Sequence, residues 1–245
     1  MPSRSWIPTP VFSRAYLAAT WKHRAELKDY ERRGFAQFVY LTICAHLENF
    51  LAQLIQGRLK SIRYLTNWEA LAPETLYSDG EHVCDRKPVY ESLLRLVSSL
   101  SDETHLAPLI RLTERYNLFF QRPLRDVIGQ DLHEDLLAIG ALRNLFAHGR
   151  DLFLEFPDDE GYATLESNPL QKPAVRLQKA GILTTLKVTG MNRPEFNATF
   201  YSDEALLYFY RAVERIQEQL TLSIDFLPEA SGFPFSQLPK LEAKE

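Results

Sequence analysis

Apolar positions along this chain follow two periods. From about 33 to 148, and again after 202, they recur at steps of three and four, the mark of one helix face. Between 151 and 202 they come in short runs that read as strands. The strongest helical signal is RGFAQFVYLTICAHLENFLAQLIQGRLKSI, 33–62, which aligns Ala36, Tyr40, Ile43, Leu47, Phe50 and Leu54. A charged, helix-prone stretch over 22–31 precedes it. Residues 1–20 are punctuated by proline and predict an arm packed on the surface. Residues 66–86 read as a loop. A helix is then expected from Pro88 through VYESLLRLVSSL. The pattern over 102–128 predicts a helix starting near Pro108 and broken near Pro123.

A further helix is predicted over 131–148, opened by Asp131 and stopped by Gly149. The runs DLFLEFP, YATLES, AVRLQ, ILTTLKVTG and NATFYS follow, separated by DDEG, NP and NRP. They predict a small antiparallel β insertion over 151–202. Ser202 is placed to cap a closing helix, with Asp203 and Glu204 in its first turn and Leu206, Phe209, Val213, Ile216 and Leu220 on one face. Residues 228–245 read as a surface tail. The expected fold is mainly α: a single domain over 1–245, a helical bundle with a β appendage before the last long helix.

Composition narrows the function. With 45% hydrophobic residues in 245, a sizeable core forms without staples. The formal charge of −4 argues against a general nucleic-acid coat, so RNA contact needs a local basic patch. Cys44 and Cys84 are the 2 cysteines. The start MPSRSWIPTPVFSRAY lacks the apolar region of a leader. No apolar run approaches the roughly 20 residues of a membrane span. A cytoplasmic protein with reduced thiols and no membrane contact is expected.

The 131–148 helix carries the candidate chemistry. Projected at about 100° per residue, Leu132, Leu136, Ile139, Arg143, Phe146 and Ala147 share one face, with Arg143 at its centre. Leu137, Ala141, Asn144, Leu145 and His148 form a second face, suited to a second subunit. A guanidinium cannot shed its charge, so Arg143 needs a partner or a water-filled pocket. His148, in the last turn, sees the negative end of the helix dipole and can exchange a proton near neutral pH. A fixed cation with a proton shuttle suits a phosphodiester, whose transition state gathers negative charge on phosphate oxygens. Asn144 adds a neutral donor and acceptor. On a straight helix Arg143 and His148 point about 140° apart. A two-fold axis bringing two copies together, or a loosened last turn at Gly149, would let them converge.

RNLFAHG, 143–149, resembles the arginine–four–histidine motif of the HEPN family (higher eukaryote and prokaryote nucleotide-binding domains), with asparagine following the arginine. The resemblance rests on seven residues and a compatible helical layout. It implies an α-helical bundle that dimerises around the motif, and a metal-independent endoribonuclease needing no cofactor, of the kind found in toxin–antitoxin and phage-defence systems. Arg143, Asn144 and His148 would take the catalytic positions. The ribose 2′-OH would attack the adjacent phosphate and leave a 2′,3′-cyclic end. Partners would be RNA, a second copy, and an antitoxin or defence-complex protein. Arg150 stands where a toxin subgroup paired with nucleotidyltransferase antitoxins carries tyrosine, a departure from that pairing. The alternative is an inactive HEPN-like scaffold that binds a nucleotide or a partner protein.

Further polar residues are candidates for supporting roles. Glu48 borders the apolar face of 33–62 and is a candidate to pair with Arg143, or is a solvated helix edge. His133, Arg150, Arg122 and Arg125 are candidate RNA contacts; the arginines at 111, 115, 122 and 125 alternate with Glu114 and Asp126, as an ordinary charged face does. Zinc at Cys44, His46, His82 and Cys84 is disfavoured, because residues two apart on a helix diverge by about 200°. PDDEG at 157–161 reads as a solvated turn.

Overall fold

The computed structural model describes residues 9–65, 95–96, 99–100, 103–104, 107–147, 161–163, 165 and 168–223, with 9–15 and 60–65 described by backbone alone. The fold is mainly α. In chain order it has α1 (Thr9–His23), a 3-10 turn (Arg24–Glu26), α2 (Asp29–Leu65), α3 (Leu109–Phe120), α4 (Leu124–Ile128) and α5 (Gln130–Ala147). Strand β1 (Tyr162–Ala163), α6 (Gln171–Lys179), β2 (Val188–Thr189), α7 (Arg193–Thr199) and α8 (Asp203–Ser223) follow. Two compact units are present. The first takes the described residues up to Leu47 and those from Arg125 to Ser223; the second takes those between Glu48 and Leu124.

The core of the first unit follows the predicted helical stripes. Ala36, Tyr40, Ile43 and Leu47 of α2 are buried, as are Leu206, Phe209, Val213, Ile216 and Leu220 of α8. Tyr40 ties the elements together: its hydroxyl donates to the Phe200 carbonyl at 2.7 Å, and its ring meets Phe209 edge-on at 5.9 Å. Ser202 caps α8 through its hydroxyl, which accepts from the Ala205 N–H at 3.2 Å.

The N-terminal segment departs from the expected surface arm. It is helical from Thr9, and Leu17 and Trp21 are buried. Pro10 falls in the first turn, where its missing N–H costs nothing. Arg24 secures this end. Its guanidinium lies 4.2 Å from the Trp21 ring centroid, and its Nε donates to Asp203 at 2.8 Å.

In the second unit, Phe50, Leu51, Leu54, Ile55 and Leu59 of α2 are buried, with Leu109, Leu112 and Tyr116 of α3. By length and composition the stretch Asp29–Leu59 of α2 matches a membrane span, against the sequence expectation; 67% of its most apolar window is buried inside the protein. A helix largely buried in the protein's own core passes the same length and composition test. The break at Pro123 falls where proline chemistry places it. α3 ends on Gln121 at φ 52, and the Asn117 side chain accepts from the Leu124 N–H at 2.7 Å to start α4. A left-handed conformation costs a non-glycine residue roughly 1–2 kcal/mol. Gln121→Gly is therefore expected to raise stability by about 0.5–1 kcal/mol in urea unfolding, after glycine's own entropy cost.

The β insertion is smaller than the strand-like runs predict. Tyr162 and Ala163 pair antiparallel with Thr189 and Val188. YATLES and ILTTLKVTG contribute these two-residue strands, and DLFLEFP lies outside the described residues. AVRLQ and NATFYS are corrected: the first lies in α6, and the first half of the second, 197–199, closes α7. The alternation in AVRLQ hides a three-to-four step through Pro173, Ala174 and Leu177, all buried, and proline early in the helix is compatible with it. In α7, Pro194 of the NRP expected to turn is near the helix start. Phe196 and the C-cap Phe200, four apart, meet edge-on at 5.4 Å.

Candidate functional site

The helix that carries RNLFAHG is α5, described to Ala147. Its buried stripe runs through Asp135, Leu136, Ala138, Ile139, Leu142 and Leu145. Arg143 is half-buried at the edge of that stripe rather than at its centre, and Asn144 is exposed. The charged group at the core position is Asp135, fully buried. Arg143 Nη1 donates to Asn144 Oδ1 at 3.3 Å, so the two motif side chains lie together at the rim. His148 and Arg150 lie outside the described residues.

The far end of the motif is anchored by aromatic rings. Phe146 stacks on Tyr40 at 5.4 Å with an interplanar angle of 11°, and meets Tyr201 at 6.4 Å and 46°. Leu145 is buried beside it. Burial pushes the Tyr40 phenol well above its ordinary range, with Tyr201 adding to the rise, so this anchor stays neutral. Arg143 is one turn behind Phe146, so anchoring that ring holds the turn of α5 from which the guanidinium extends.

The near end of α5 is held by a buried ion network. Arg176 of α6 donates from Nε to Asp135 Oδ1 at 2.6 Å, and from Nη1 to Glu134 at 2.8 Å and Asp131 at 3.1 Å. Tyr208 of α8 donates to the same Asp135 oxygen at 2.7 Å. Asp135 Oδ2 accepts no hydrogen bond among the described residues; Arg215 Nη2 lies 3.9 Å from it. Burial disfavours the Arg176 charge, but its hydrogen bonds to Asp135 and Asp131, with the charge on Asp135, raise its pKa overall. Hydrogen bonds from Gln130 and Lys179, with the charges of Lys179 and Arg176, hold Glu134 down to about 2.

No family model, curated protein or solved structure matches the chain. The remaining candidates are spread out. Glu48 accepts from the Leu109 N–H at 3.1 Å, at the start of α3 in the second unit. His133 is half-buried near the opposite end of α5, about 15 Å along the axis from Arg143. Burial lowers its pKa, aided by Arg125 and Lys172. Arg125 lies 3.6 Å from Asp126, and Arg122 is exposed. On α3, Arg111 pairs with Glu114 at 3.0 Å, and Arg115 pairs with Glu103 at 3.3 Å. Cys44 is buried in α2, while His82 and Cys84 lie outside the described residues.

Asp135 and Arg176 escaped the sequence reading. Their signal was present: Asp135 heads an apolar series at Ala138, Ile139 and Leu142, and Arg176 sits between Ala174 and Leu177. A charge at a core position is the trace of a buried pair.

The same network makes a pH prediction. Burial, then the hydrogen bond to Asp135 and its charge, push Tyr208 up to about 12. A raised folded value means that the phenol contributes stability fully below its ordinary value of 10.0 and loses it as pH rises through about 12. Alkaline titration followed by tyrosinate absorbance should show one late-ionising group fewer in Tyr208→Phe. Loss of a group that ionises in the ordinary tyrosine range, with the late phase intact, would remove Tyr208 from the network.

Proposed function

We propose that the chain is a metal-independent endoribonuclease of HEPN type, a toxin or phage-defence effector that cleaves RNA at a site shared by two copies. The observation that carries this reading is the sequence RNLFAHG, whose residues 143–147 close α5, with Arg143 and Asn144 side by side at the protein rim. The locked helix behind them supports it, since a catalytic guanidinium acts through fixed position. Arg143 holds the non-bridging phosphate oxygens and Asn144 steadies them. His148 of one copy takes the proton of the ribose 2′-OH as the 2′-oxygen bonds to phosphorus. The bond from phosphorus to the 5′-oxygen breaks, and a proton from the other copy's His148 completes the 5′-hydroxyl.

Purified protein with single-stranded RNA in excess chelator should yield a 2′,3′-cyclic phosphate and a 5′-hydroxyl end. Sedimentation at micromolar concentration should show a dimer. Cleavage only on addition of a divalent ion would exclude this chemistry, and a strict monomer would exclude the shared site. The ion pairs of Arg111 and Arg115 favour a second reading, a non-catalytic interaction module, because they neutralise basic positions on α3 that RNA would otherwise contact. Binding of a protein partner with no RNA cleavage under any condition would support that reading.

A further inference from the structure

The stack of rings beneath the motif does not end in the core. It continues from Tyr40 through Phe146 to Tyr201, and Arg33 places its guanidinium 5.9 Å over the Tyr201 ring. Tyr40 is buried, Phe146 and Tyr201 are half-buried, and Arg33 is exposed. The series therefore opens to solvent at a flat ring with a cation above it.

The backbone under that ring is clamped. Phe200 is buried, its carbonyl accepts the Tyr40 hydroxyl at 2.7 Å, and the Tyr201 N–H donates to the Ala198 carbonyl at 3.0 Å. A surface cation–π pair would be unremarkable in isolation. Here the ring touches Phe146, which belongs to RNLFAHG and sits one turn from Arg143.

Resting on the ribonuclease reading, we propose that Tyr201 and Arg33 form a stacking platform for the base beside the scissile phosphate, which makes the enzyme prefer single-stranded RNA with a purine there. Unpaired bases are held by aromatic faces and arginine planes. Stacking reads no hydrogen-bond edge, so the preference follows ring size: purine over pyrimidine, with little distinction between adenine and guanine. Arg33 swings from the ring to cover the outer face of the base or to meet the adjoining phosphate. A duplex cannot offer its base this way without unpairing.

The test uses the full chain and short oligoribonucleotides that carry a purine, a pyrimidine or an abasic residue beside a 2′-deoxy nucleotide, which blocks cleavage. Fluorescence anisotropy should give tighter binding of the purine strand. Tyr201→Leu should weaken it roughly 5- to 100-fold and erase the purine preference, and Tyr201→Phe should restore most of the affinity. Arg33→Ala, at an exposed position, should weaken binding and flatten its salt dependence; it keeps the test decisive if Tyr201→Leu melts early. Equal binding of purine and abasic strands, or wild-type affinity in both Tyr201→Leu and Arg33→Ala, would overturn the platform. Cleavage by the wild type that is lost in His148→Ala would then leave the nuclease reading standing. Neither binding nor cleavage by the wild type would overturn both.

Discussion

Arg176→Met should lower the stability of the chain by about 3–5 kcal/mol in urea unfolding, the usual cost of leaving one buried charge without its partner. Asp135 is 0% exposed and Arg176 6%. Methionine fills much of the volume but donates nothing, so the Asp135 carboxylate would keep only the Tyr208 hydroxyl at 2.7 Å and the distant Arg215. Arg176→Lys should fall between, since one ammonium cannot reach Asp135, Glu134 and Asp131 in the forked geometry that the guanidinium uses. The double variant Asp135→Leu with Arg176→Met should recover much of the loss, because removing both charges removes the unpaired one. A single-variant cost below about 1 kcal/mol would place this pair with ordinary surface ion pairs and deny it a part in holding α5.

Arg143→Ala and His148→Ala should each reduce RNA cleavage by about 10²–10⁴-fold, the range for loss of a proton-transfer group or of a preorganised charge on the transition state. Combining them should cost little more than the worse single change, since the groups act on one phosphate as a unit. Arg143 is half-buried at the rim, against 6% exposure for Arg176, so Arg143→Ala should lower the melting temperature much less than Arg176→Met. The two variants should therefore separate: Arg176→Met acts chiefly on stability, Arg143→Ala chiefly on chemistry. Undiminished cleavage by both motif variants would end the nuclease proposal. Expression in cells gives a parallel measurement, with toxicity in the wild type and its loss in both variants expected.

The long helices were legible because a helix face repeats its requirement many times. Ala36, Tyr40, Ile43 and Leu47 in α2, and Leu206 to Leu220 in α8, each report the same buried side, so individual exceptions hardly disturb the pattern. Punctuation was legible for a local reason: Pro108, Pro123 and Ser202 act on the backbone within one turn. Short runs carried less information. AVRLQ and NATFYS are too brief for a period of two to be told from one of three and a half, and each became helical once Leu177, Phe196 and Phe200 found a buried side to join.

RNLFAHG was visible in one dimension as a spacing, with Arg143 and Asn144 near the end of a helix. Its surroundings were not. That Asp135 rather than Arg143 occupies the core, that Arg176 arrives from 41 residues further on to neutralise it, and that Tyr40 and Tyr201 flank Phe146 are all decisions of the tertiary structure. Periodicity is a property of neighbours in the chain and can be read from it. Charge pairing and ring stacking depend on distances between segments that the chain brings together only by folding, so the sequence determined the helices and the motif, and packing decided what holds the motif in place.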